Sequence, residues 1–350
     1  MIKVAIIGFG FMGKTHADAY AAIPSARIVA VGDVKEDLLR SWQAPYPVKF
    51  YTDLSALIRK TDADVLDICL PTFLHEEFVT MAVKRRMHVL CEKPFALSTA
   101  AADRMLAAAH ESKVTLMVAQ VLRFFAHYTK VQELVKSGSI GEVIYAHAAR
   151  LSESPRWAKW FSDPEKSGGA LFDLHIHDLD YILDLFGLPQ SLYATGVQSK
   201  GGCWDQVCNV LTYPGKRVVI EASYSMPAGW PFTTGLRVVG TTGAIEYNFR
   251  VQGNVNAFDR AQHSLRLYEN GKSPAEIEID DPNPYLREIE YFVGCIERGE
   301  EPSRVPSQES RDVIAVLEAA KKSLETGMPV MLDHISTVAR KSERKEENPR

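Results

Sequence analysis

The feature that most constrains this chain is a glycine-rich turn at residues 8–13 that directly follows a short apolar run. The run Lys3–Ile7 has the composition of a buried strand, and a helical pattern continues through Ala17–Ala22. Between them the sequence reads Gly8-Phe9-Gly10-Phe11-Met12-Gly13, a match to G-x-G-x-x-G. A strand that passes into a helix through this pattern indicates a βαβ unit with a tight strand–helix turn.

The first 120 residues alternate short apolar runs with helical patterns. Because parallel strands need crossover helices, this alternation predicts a doubly wound parallel sheet covered on both faces. We therefore expect an α/β fold with an N-terminal Rossmann domain at residues 1–122. Its predicted strands are Lys3–Ile7, Arg27–Val31, Val65–Cys69, His88–Cys91 and Thr115–Ala119, and its predicted helices include His75–Arg86 and Thr99–Ser112.

After Arg123 the pattern changes to alternating strands separated by turn signals, which predicts an antiparallel sheet. We assign residues 123–335 to this second domain and expect the highly charged residues 336–350 to be disordered. One long helix is predicted from Gly169 to about Phe186. The other predicted elements are the strands Val143–Arg150, Leu192–Gln198, Val207–Tyr213, Arg217–Tyr224 and Leu236–Val239, and the helices Val131–Lys136, Tyr285–Arg298 and Gln308–Thr326.

The composition excludes several classes of protein. Forty basic and 44 acidic residues give a net charge of −4, so a basic face for nucleic acid is not expected. No apolar stretch reaches the roughly 18–20 residues that a membrane span needs. The five cysteines form no C-x-x-C pair or zinc pattern, and the N-terminus lacks the features of a signal peptide. We expect reduced thiols and a cytoplasmic protein.

An acidic residue at the end of the second predicted strand supports a dinucleotide site. Asp33 lies twenty residues after Gly13, where a carboxylate can accept hydrogen bonds from the adenosine ribose hydroxyls. The alternative is a purely structural turn with a surface aspartate. A 2′-phosphate would meet the charge of Asp33, and Val34 supplies no guanidinium to offset it, so we predict NAD rather than NADP. The assigned cofactor residues of this region are Gly8, Phe9, Gly10, Phe11, Met12, Gly13 and Asp33.

Two further segments follow predicted strands of the same sheet: Pro71–His75 comes after Val65–Cys69, and Glu92-Lys93-Pro94 comes after His88–Cys91. Ligands of open α/β sheets bind beyond the carboxyl ends of the strands, which places Lys93 near a nicotinamide ring. Taken alone, a lysine after a strand is more often a solvated surface residue, and a histidine at a helix start is more often structural. From these segments we assign Pro71, Thr72, His75, Glu92 and Lys93 to the cofactor site.

The predicted helix from Gly169 carries a polar stripe. Asp173, His177, Asp180 and Asp184 stand at i, i+4, i+7 and i+11 and therefore share one face. Asp173 can orient His177, and a histidine is suited to act as a general base near neutral pH. The alternative is an amphipathic helix with its polar face in water.

The segment His175-Ile176-His177 invites a rival interpretation as an H-x-H metal motif of an amidohydrolase. On a helix, residues at i and i+2 point about 200° apart, so the two imidazoles would not share one metal ion. We therefore predict no metal site.

These motifs, in this order, resemble the glucose–fructose oxidoreductase/inositol dehydrogenase/MocA family of NAD(P)-dependent dehydrogenases. The resemblance covers Lys3 to about Leu332 and includes Glu92-Lys93-Pro94 and the block Gly168–Asp180. It implies a Rossmann domain followed by an α/β domain with a large, open, mainly antiparallel sheet. It also implies a homodimer or homotetramer formed through that C-terminal sheet.

The resemblance further implies a catalytic set, which maps onto Lys93, Asp173 and His177. In such enzymes His177 would be the base, Lys93 would stabilise negative charge on the reacting oxygen, and Asp173 would position the substrate or the imidazole. The stretch Gln120–Ala126 departs from the family pattern, which leaves substrate contacts there less defined. The candidate substrate residues are Lys93, Arg123, Arg156, Trp157, Asp173 and His177.

The leading hypothesis is an NAD-dependent dehydrogenase that oxidises a hydroxyl of a sugar, polyol or inositol to a ketone or lactone. One alternative is a catalytically idle relative that binds NAD and a ligand as a sensor. Another is a relative that uses the cofactor without net redox, as a hydride-shuttling glycosidase or epimerase does. For Arg156 and Trp157, packing at a domain seam or an oligomer interface is the alternative to substrate contact.

Overall fold

The computed structural model describes residues 1–155, 158–252, 261–280 and 283–332, and the chain divides into two compact units. Unit 1 comprises Met1–Ala126, Glu165–Ser167 and Asp281–Ile314, whereas unit 2 comprises His127–Pro164, Gly168–Asp280 and Ala315–Arg350. A single division after residue 122 therefore does not describe the chain, because unit 1 also takes in segments from later in the sequence. The predicted tail at residues 336–350 lies outside the described residues.

Unit 1 contains a parallel sheet of six strands within the described residues, in the order β3-β2-β1-β4-β5-β6. This topology confirms the predicted doubly wound fold. The sequence interpretation missed β3, which is short and largely exposed and so carries little hydrophobic signal. The strands are β1 (Ile2–Ile7), β2 (Ala26–Gly32), β3 (Lys49–Tyr51), β4 (Val65–Ile68), β5 (His88–Glu92) and β6 (Leu116–Ala119).

Each predicted helical pattern corresponds to helix in the described residues, whereas the short helices Glu36–Arg40, Leu54–Lys60 and Pro164–Ser167 were not predicted. The segment predicted as a single helix from Gly169 is divided at Leu174 into two helices. The helices are α1 (Phe11–Ala21), α2 (Glu36–Arg40), α3 (Leu54–Lys60), α4 (His75–Lys84), α5 (Thr99–Ser112), α6 (Ala126–Lys136), α7 (Pro164–Ser167), α8 (Gly169–Asp173), α9 (His175–Phe186), α10 (Pro284–Arg298) and α11 (Ser307–Thr326).

Helix α10 belongs to unit 1 because it completes the hydrophobic core of that unit. Ile289 and Phe292 on α10 are fully buried in one cluster with Phe9 and Tyr20. Burial of such large side chains is the main favourable contribution to folding, so this helix joins the unit against which its apolar face packs. A linear reading of the sequence cannot show which of two domains receives a late amphipathic helix.

Unit 2 is built on a sheet of nine strands within the described residues, in the order β14-β13-β12-β11-β7-β10-β9-β8-β15. The pairing of β7 with β10 is parallel and the others are antiparallel, which confirms the predicted mainly antiparallel sheet. The strands are β7 (Val143–Glu153), β8 (Ser191–Gln198), β9 (Trp204–Tyr213), β10 (Lys216–Met226), β11 (Phe232–Gly240), β12 (Gly243–Val251), β13 (Gln262–Glu269), β14 (Ala275–Glu276) and β15 (Val330–Met331).

Helices α8 and α9 pack on one face of this sheet. Ala170 and Leu174 form a small buried cluster with Ala222 of β10, against which Tyr224 also packs. The helix segment that carries Asp173 is therefore fixed to the sheet by small apolar residues. Within the described residues, no helix has the length and hydropathy that crossing a lipid bilayer requires. All five cysteines are free thiols.

Candidate functional site

The glycine turn lies between β1 and the start of α1, and each glycine has its own structural reason. Gly8 has φ of +84°, and a Cβ there would overlap the carbonyl oxygen of Cys69. A Cβ at Gly13 would overlap the carbonyl oxygen of Gly8, so helix and loop touch through bare backbone. A Cβ at Gly10 would meet nothing within 4 Å. The open space at Gly10, beside a helix N-terminus without a side-chain cap, fits the approach of a pyrophosphate.

Asp33 immediately follows β2 at the same edge of the sheet. Its carboxylate is nearly buried and accepts backbone hydrogen bonds from Phe9 at 2.7 Å and from Lys35 at 2.8 Å, one on each oxygen. These two bonds fix the carboxylate in place, and the second lone pair of each oxygen remains suited to a ribose hydroxyl. The structure therefore fits the adenosine half of a dinucleotide at Asp33.

The side chains of the turn divide into two groups. The Phe9 ring is fully buried and packs edge-on against Trp42, with centroids 5.4 Å apart, so the assignment of Phe9 to the cofactor concerns its backbone alone. Phe11, by contrast, is 46% exposed at the start of α1. Pro71 and Thr72 follow β4 at the same edge, and their contacts with a cofactor stay predictions.

Lys93 is the first residue after β5, so it too lies at the carboxyl edge of the parallel sheet. The preceding Glu92 points inward: its Oε2 accepts a hydrogen bond from the Lys93 backbone at 3.0 Å, and its Oε1 lies 3.2 Å from Nε2 of the buried His16. The Glu92 carboxylate is thus engaged inside the protein. We revise its predicted cofactor contact to an indirect one, through the position it gives Lys93.

His75 also has an inward role. Its ring is fully buried, with Nδ1 2.9 Å from the carbonyl oxygen of Pro94 and Nε2 2.8 Å from that of Leu70. Burial lowers the pKa of His75, whereas its carbonyl neighbours oppose that shift. The ring lies between the turn after β4 and the turn after β5 and has no exposed surface with which to touch a dinucleotide. We therefore correct the predicted contact: His75 shapes the cofactor edge and does not line it.

Arg123 belongs to the fold of unit 1. Its guanidinium is almost fully buried and donates to the carbonyl oxygen of Arg304 at 3.0 Å and to the Glu309 carboxylate at 2.7 Å, while Arg304 donates back to the Arg123 carbonyl. These bonds hold the segment after β6 to the segment between α10 and α11. The predicted substrate contact is corrected accordingly: we assign Arg123 to the structure of the unit.

In unit 2, Asp173 ends α8, and His177 lies one helical turn further on in α9. The Asp173 carboxylate accepts a short hydrogen bond from the hydroxyl of Tyr224 on β10. Burial, followed by the negative charge of Asp173, raises the pKa of Tyr224 well above 10, so this hydroxyl keeps its proton and remains a donor. Tyr224 therefore fixes the side chain of Asp173 from the sheet.

A buried ion pair joins the same helix to the sheet. Arg150 on β7 donates to both oxygens of Asp178 on α9, at 2.7 and 3.0 Å, and both side chains are almost fully buried. A bidentate guanidinium–carboxylate pair has a fixed geometry. It sets the rotation of α9, and hence the direction of the neighbouring His177.

The two histidines of the H-x-H segment have different surroundings. His175 is fully buried, and within the described residues neither of its ring nitrogens has a hydrogen-bond partner. Burial alone lowers its pKa to about 3. His177 is half-buried in the same helix. Their placement on α9 agrees with the helical geometry that argued against a shared metal ion.

Two candidate substrate residues, Arg156 and Trp157, lie outside the described residues. The structure also contains polar residues that the sequence interpretation missed, namely His16, Tyr224 and Arg150. His16 follows the glycine pattern by three positions, which is a weak signal. Tyr224 and Arg150 sit in strands that alternate regularly, and nothing in that alternation distinguishes them from other strand residues.

Comparisons with known proteins agree with this arrangement. Residues 2–120 match the oxidoreductase family with an NAD-binding Rossmann fold, and residues 128–246 match the Gfo/Idh/MocA C-terminal domain. The chain is 29% identical to the myo-inositol 2-dehydrogenase of Thermotoga maritima, over 95% of this chain and 99% of that protein.

Two further relatives extend the comparison. The chain is 34% identical to the 2,7-anhydro-N-acetylneuraminate hydratase of Mediterraneibacter gnavus, over 77% of this chain and 73% of that protein. The crystal structure of an aldose–aldose oxidoreductase from Caulobacter crescentus has the same fold, with a TM-score of 0.82 and 23% identity over 95% of this chain and 99% of that one. This chain is therefore a member of the Gfo/Idh/MocA family of NAD-binding oxidoreductases.

Proposed function

We propose that this protein is an NAD-dependent oxidoreductase that oxidises a hydroxyl of a sugar, polyol or inositol to a ketone or lactone. The observation that carries the proposal is the position of Lys93. It follows β5 at the sheet edge where Gly8 follows β1 and Asp33 follows β2. In open α/β sheets this edge, at the point where the strand order reverses between β1 and β4, is where dinucleotides bind.

The proposed roles follow from the charge that develops on a hydroxyl as it loses hydride. Bound NAD supplies the hydride acceptor. The Lys93 ammonium stabilises the negative charge that grows on the reacting oxygen, and His177 removes the hydroxyl proton. Asp173, held by Tyr224, orients the substrate or the His177 imidazole. A positioned general base contributes roughly 10²–10⁴-fold to the rate of such a step.

The relatives bear on the class of substrate, and Asp33 bears on the choice of cofactor. A relative that is a myo-inositol 2-dehydrogenase aligns with nearly the whole chain, which supports a cyclic polyol among the candidate substrates. We propose NAD over NADP because the fixed charge of Asp33 opposes a 2′-phosphate.

The test is a panel of inositols, aldoses and sugar alcohols at saturating NAD, with NADH absorbance as the readout. We expect one substrate group to give turnover. With that substrate, Lys93→Ala and His177→Ala should each lower kcat by at least about 10²-fold and leave NADH binding nearly unchanged.

Matched controls separate chemistry from general damage. Lys84 at the end of α4 and His110 near the end of α5 are exposed and far along their elements from the sheet edge. Lys84→Ala and His110→Ala should keep full activity. Unimpaired turnover in Lys93→Ala would contradict the proposed chemistry. If the wild-type protein turns over no substrate of the panel, the result would favour a sensor that binds NAD and a ligand.

A second candidate function rests on the hydratase relative at 34% identity. We propose it as the alternative in which the cofactor is used without net redox. Such an enzyme would convert its substrate while NADH absorbance stays constant, and it would keep NAD after purification. Chromatographic analysis of products from anhydrosugars, alongside the absorbance assay, separates the two functions.

We also propose a homodimer or homotetramer formed through the sheet of unit 2. The face opposite α8 and α9 carries apolar side chains such as Val210 on β9 and Val219 on β10, which are half-buried in the single chain. Sedimentation of wild type and of a Val219→Glu variant tests this. A monomeric wild type would contradict the proposal.

A further inference from the structure

Unit 1 contains a buried network of charged side chains, formed by His16, Asp67 and Glu92. His16 on α1 lies between two carboxylates: its Nδ1 is 2.9 Å from Oδ2 of Asp67 on β4, and its Nε2 is 3.2 Å from Oε1 of Glu92 on β5. The side chains of His16 and Asp67 are fully buried, and that of Glu92 is nearly so. Three elements that are separate in sequence therefore meet at one imidazole.

The surroundings of His16 favour its charged form. Two carboxylates lie within 3.2 Å of the ring nitrogens, and their negative charge favours the protonated imidazole. Burial is the largest influence and opposes protonation, but the charges of Asp67 and Cys69 and the hydrogen bonds to them together outweigh it and raise the pKa of His16 well above 6.5. Cys69 and Tyr285 also face the ring, with the Cys69 sulfur 3.5 Å from Nδ1 and the Tyr285 ring centroid 6.4 Å away.

Through Glu92, this network reaches the backbone of Lys93. Glu92 uses its other oxygen, Oε2, to accept the backbone N–H of Lys93 at 3.0 Å. On the far side of the same turn, the ring of His75 holds the carbonyl oxygens of Pro94 at 2.9 Å and Phe95 at 3.3 Å. The backbone N–H of Lys93 is therefore held by Glu92, and the carbonyl groups of the next two residues lie against the buried ring of His75.

We propose that His16 is a positioning residue for Lys93 and acts through the carboxylate of Glu92. The proposal rests on the function proposed above for Lys93. Without the imidazolium, the buried Glu92 carboxylate would lose its compensating charge and would take up a proton or turn toward another donor. In either case its hold on the Lys93 backbone would weaken. A displacement of about 1 Å at a reacting group lowers the rate by about 10²-fold.

Two variants test the two contacts of the network, that between His16 and Glu92 and that between Glu92 and Lys93. His16→Gln removes the charge and keeps a polar side chain, whereas Glu92→Gln keeps an oxygen that can accept the Lys93 N–H but removes the carboxylate. His88→Gln is the matched control, because His88 lies on the same strand and accepts a backbone hydrogen bond from Thr115 at its other end.

The first readout does not depend on turnover. Acylation of Lys93 by a short pulse of acetic anhydride, followed by peptide mass spectrometry, measures the accessibility and reactivity of its amine relative to Lys84 and Lys113 in the same sample. In His16→Gln and Glu92→Gln we expect the Lys93 rate to change at least about threefold relative to wild type. In His88→Gln it should stay as in wild type.

The second readout is kinetic and uses the substrate found in the panel. We expect kcat to fall about 10–10²-fold in each variant, with KM and NADH binding changed less than about threefold. The double variant should be no worse than the more impaired single variant, because both substitutions disrupt the same network. Rescue in a His16→Lys variant, which restores a cation, would support the charged role.

The outcomes separate this proposal from the one on which it rests. A lower melting temperature with unchanged Lys93 acylation and unchanged kcat in His16→Gln would show a merely structural role and overturn the proposal. If His16→Gln does not fold, wild-type acylation and kcat in Glu92→Gln would overturn it equally. If wild type turns over no substrate but acylation of Lys93 still changes in the variants, the positioning role stands and the proposed function fails.

Discussion

The hydroxyl of Tyr224 donates a hydrogen bond to the carboxylate of Asp173, although the two residues are 51 positions apart in the chain. The bond joins the middle of the sheet in unit 2 to the end of α8. It gives Asp173 one fixed orientation just before the turn of helix that carries His177. The tyrosine keeps its proton because burial and the neighbouring carboxylate both raise its pKa.

Tyr224→Phe should therefore impair catalysis more than stability. Loss of one hydrogen bond to a charged group is worth about 1.5–3 kcal/mol, which corresponds to roughly 10–10²-fold in kcat/KM if the bond acts in the transition state. Steady-state kinetics checks this. Tyr213→Phe is the control, since the hydroxyl of Tyr213 donates to the carbonyl oxygen of Gly187 instead. Equal activity of the two variants would contradict the role of Tyr224.

Two alanine substitutions in the glycine turn should affect different properties, one the binding of NADH and the other the stability of the fold. Gly10 has φ of −72° and open space where a Cβ would stand, so Gly10→Ala should fold normally and weaken NADH binding at least about tenfold, because the methyl group fills the path of the pyrophosphate. Gly13→Ala should instead lower stability, since its Cβ would overlap the carbonyl oxygen of Gly8. Fluorescence titration with NADH and thermal melts distinguish them. Normal NADH affinity in Gly10→Ala would contradict the assignment.

Cofactor preference should follow the charge at the end of β2. Asp33→Asn should weaken NAD binding and reduce discrimination against NADP, because the repulsion of a 2′-phosphate disappears. Val34 is 72% exposed, so Val34→Arg has room to bring a guanidinium to that phosphate. We expect the double variant to prefer NADP by about tenfold or more, as judged by KM for both cofactors. An unchanged preference would show that Asp33 does not set it.

Substitution of one member of the buried pair Arg150–Asp178 should destabilise the protein more than substitution of both. Arg150→Met leaves the Asp178 carboxylate buried and uncompensated, and it should lower the free energy of unfolding by about 3–5 kcal/mol. The double variant Arg150→Met with Asp178→Leu should recover most of that loss, because neither charge remains. Urea unfolding at neutral pH measures both. A double variant as unstable as the single one would contradict this account.

His175 should make the protein sensitive to acid. Its pKa falls from 6.5 unfolded to about 3 in the folded state, so its contribution to stability is present above pH 6.5 and is lost as the pH falls toward 3. Between about pH 6.5 and pH 5 the loss is about 2 kcal/mol. His175→Leu should remove this part of the pH dependence. Urea unfolding at the two pH values tests it, and parallel profiles for both proteins would contradict the prediction.

The sequence by itself determined the local structure and the family. Gly8, Gly10 and Gly13 could be read as a strand–helix turn because the constraints on their backbone arise from immediate neighbours in the chain and in the adjoining strand. The parallel sheet and the mainly antiparallel sheet were likewise predictable, since the hydrophobic period is a property of the sequence.

The tertiary structure alone decided how long-range partners meet. Glu92, His75 and Arg123 were assigned to ligand contacts, yet each is turned inward to a partner that the sequence does not mark. Helix α10 joins unit 1 because its apolar face completes that core. A buried polar side chain must find a hydrogen-bond partner, and that partner is chosen by which strands and helices pack together, so it is not encoded in any local pattern.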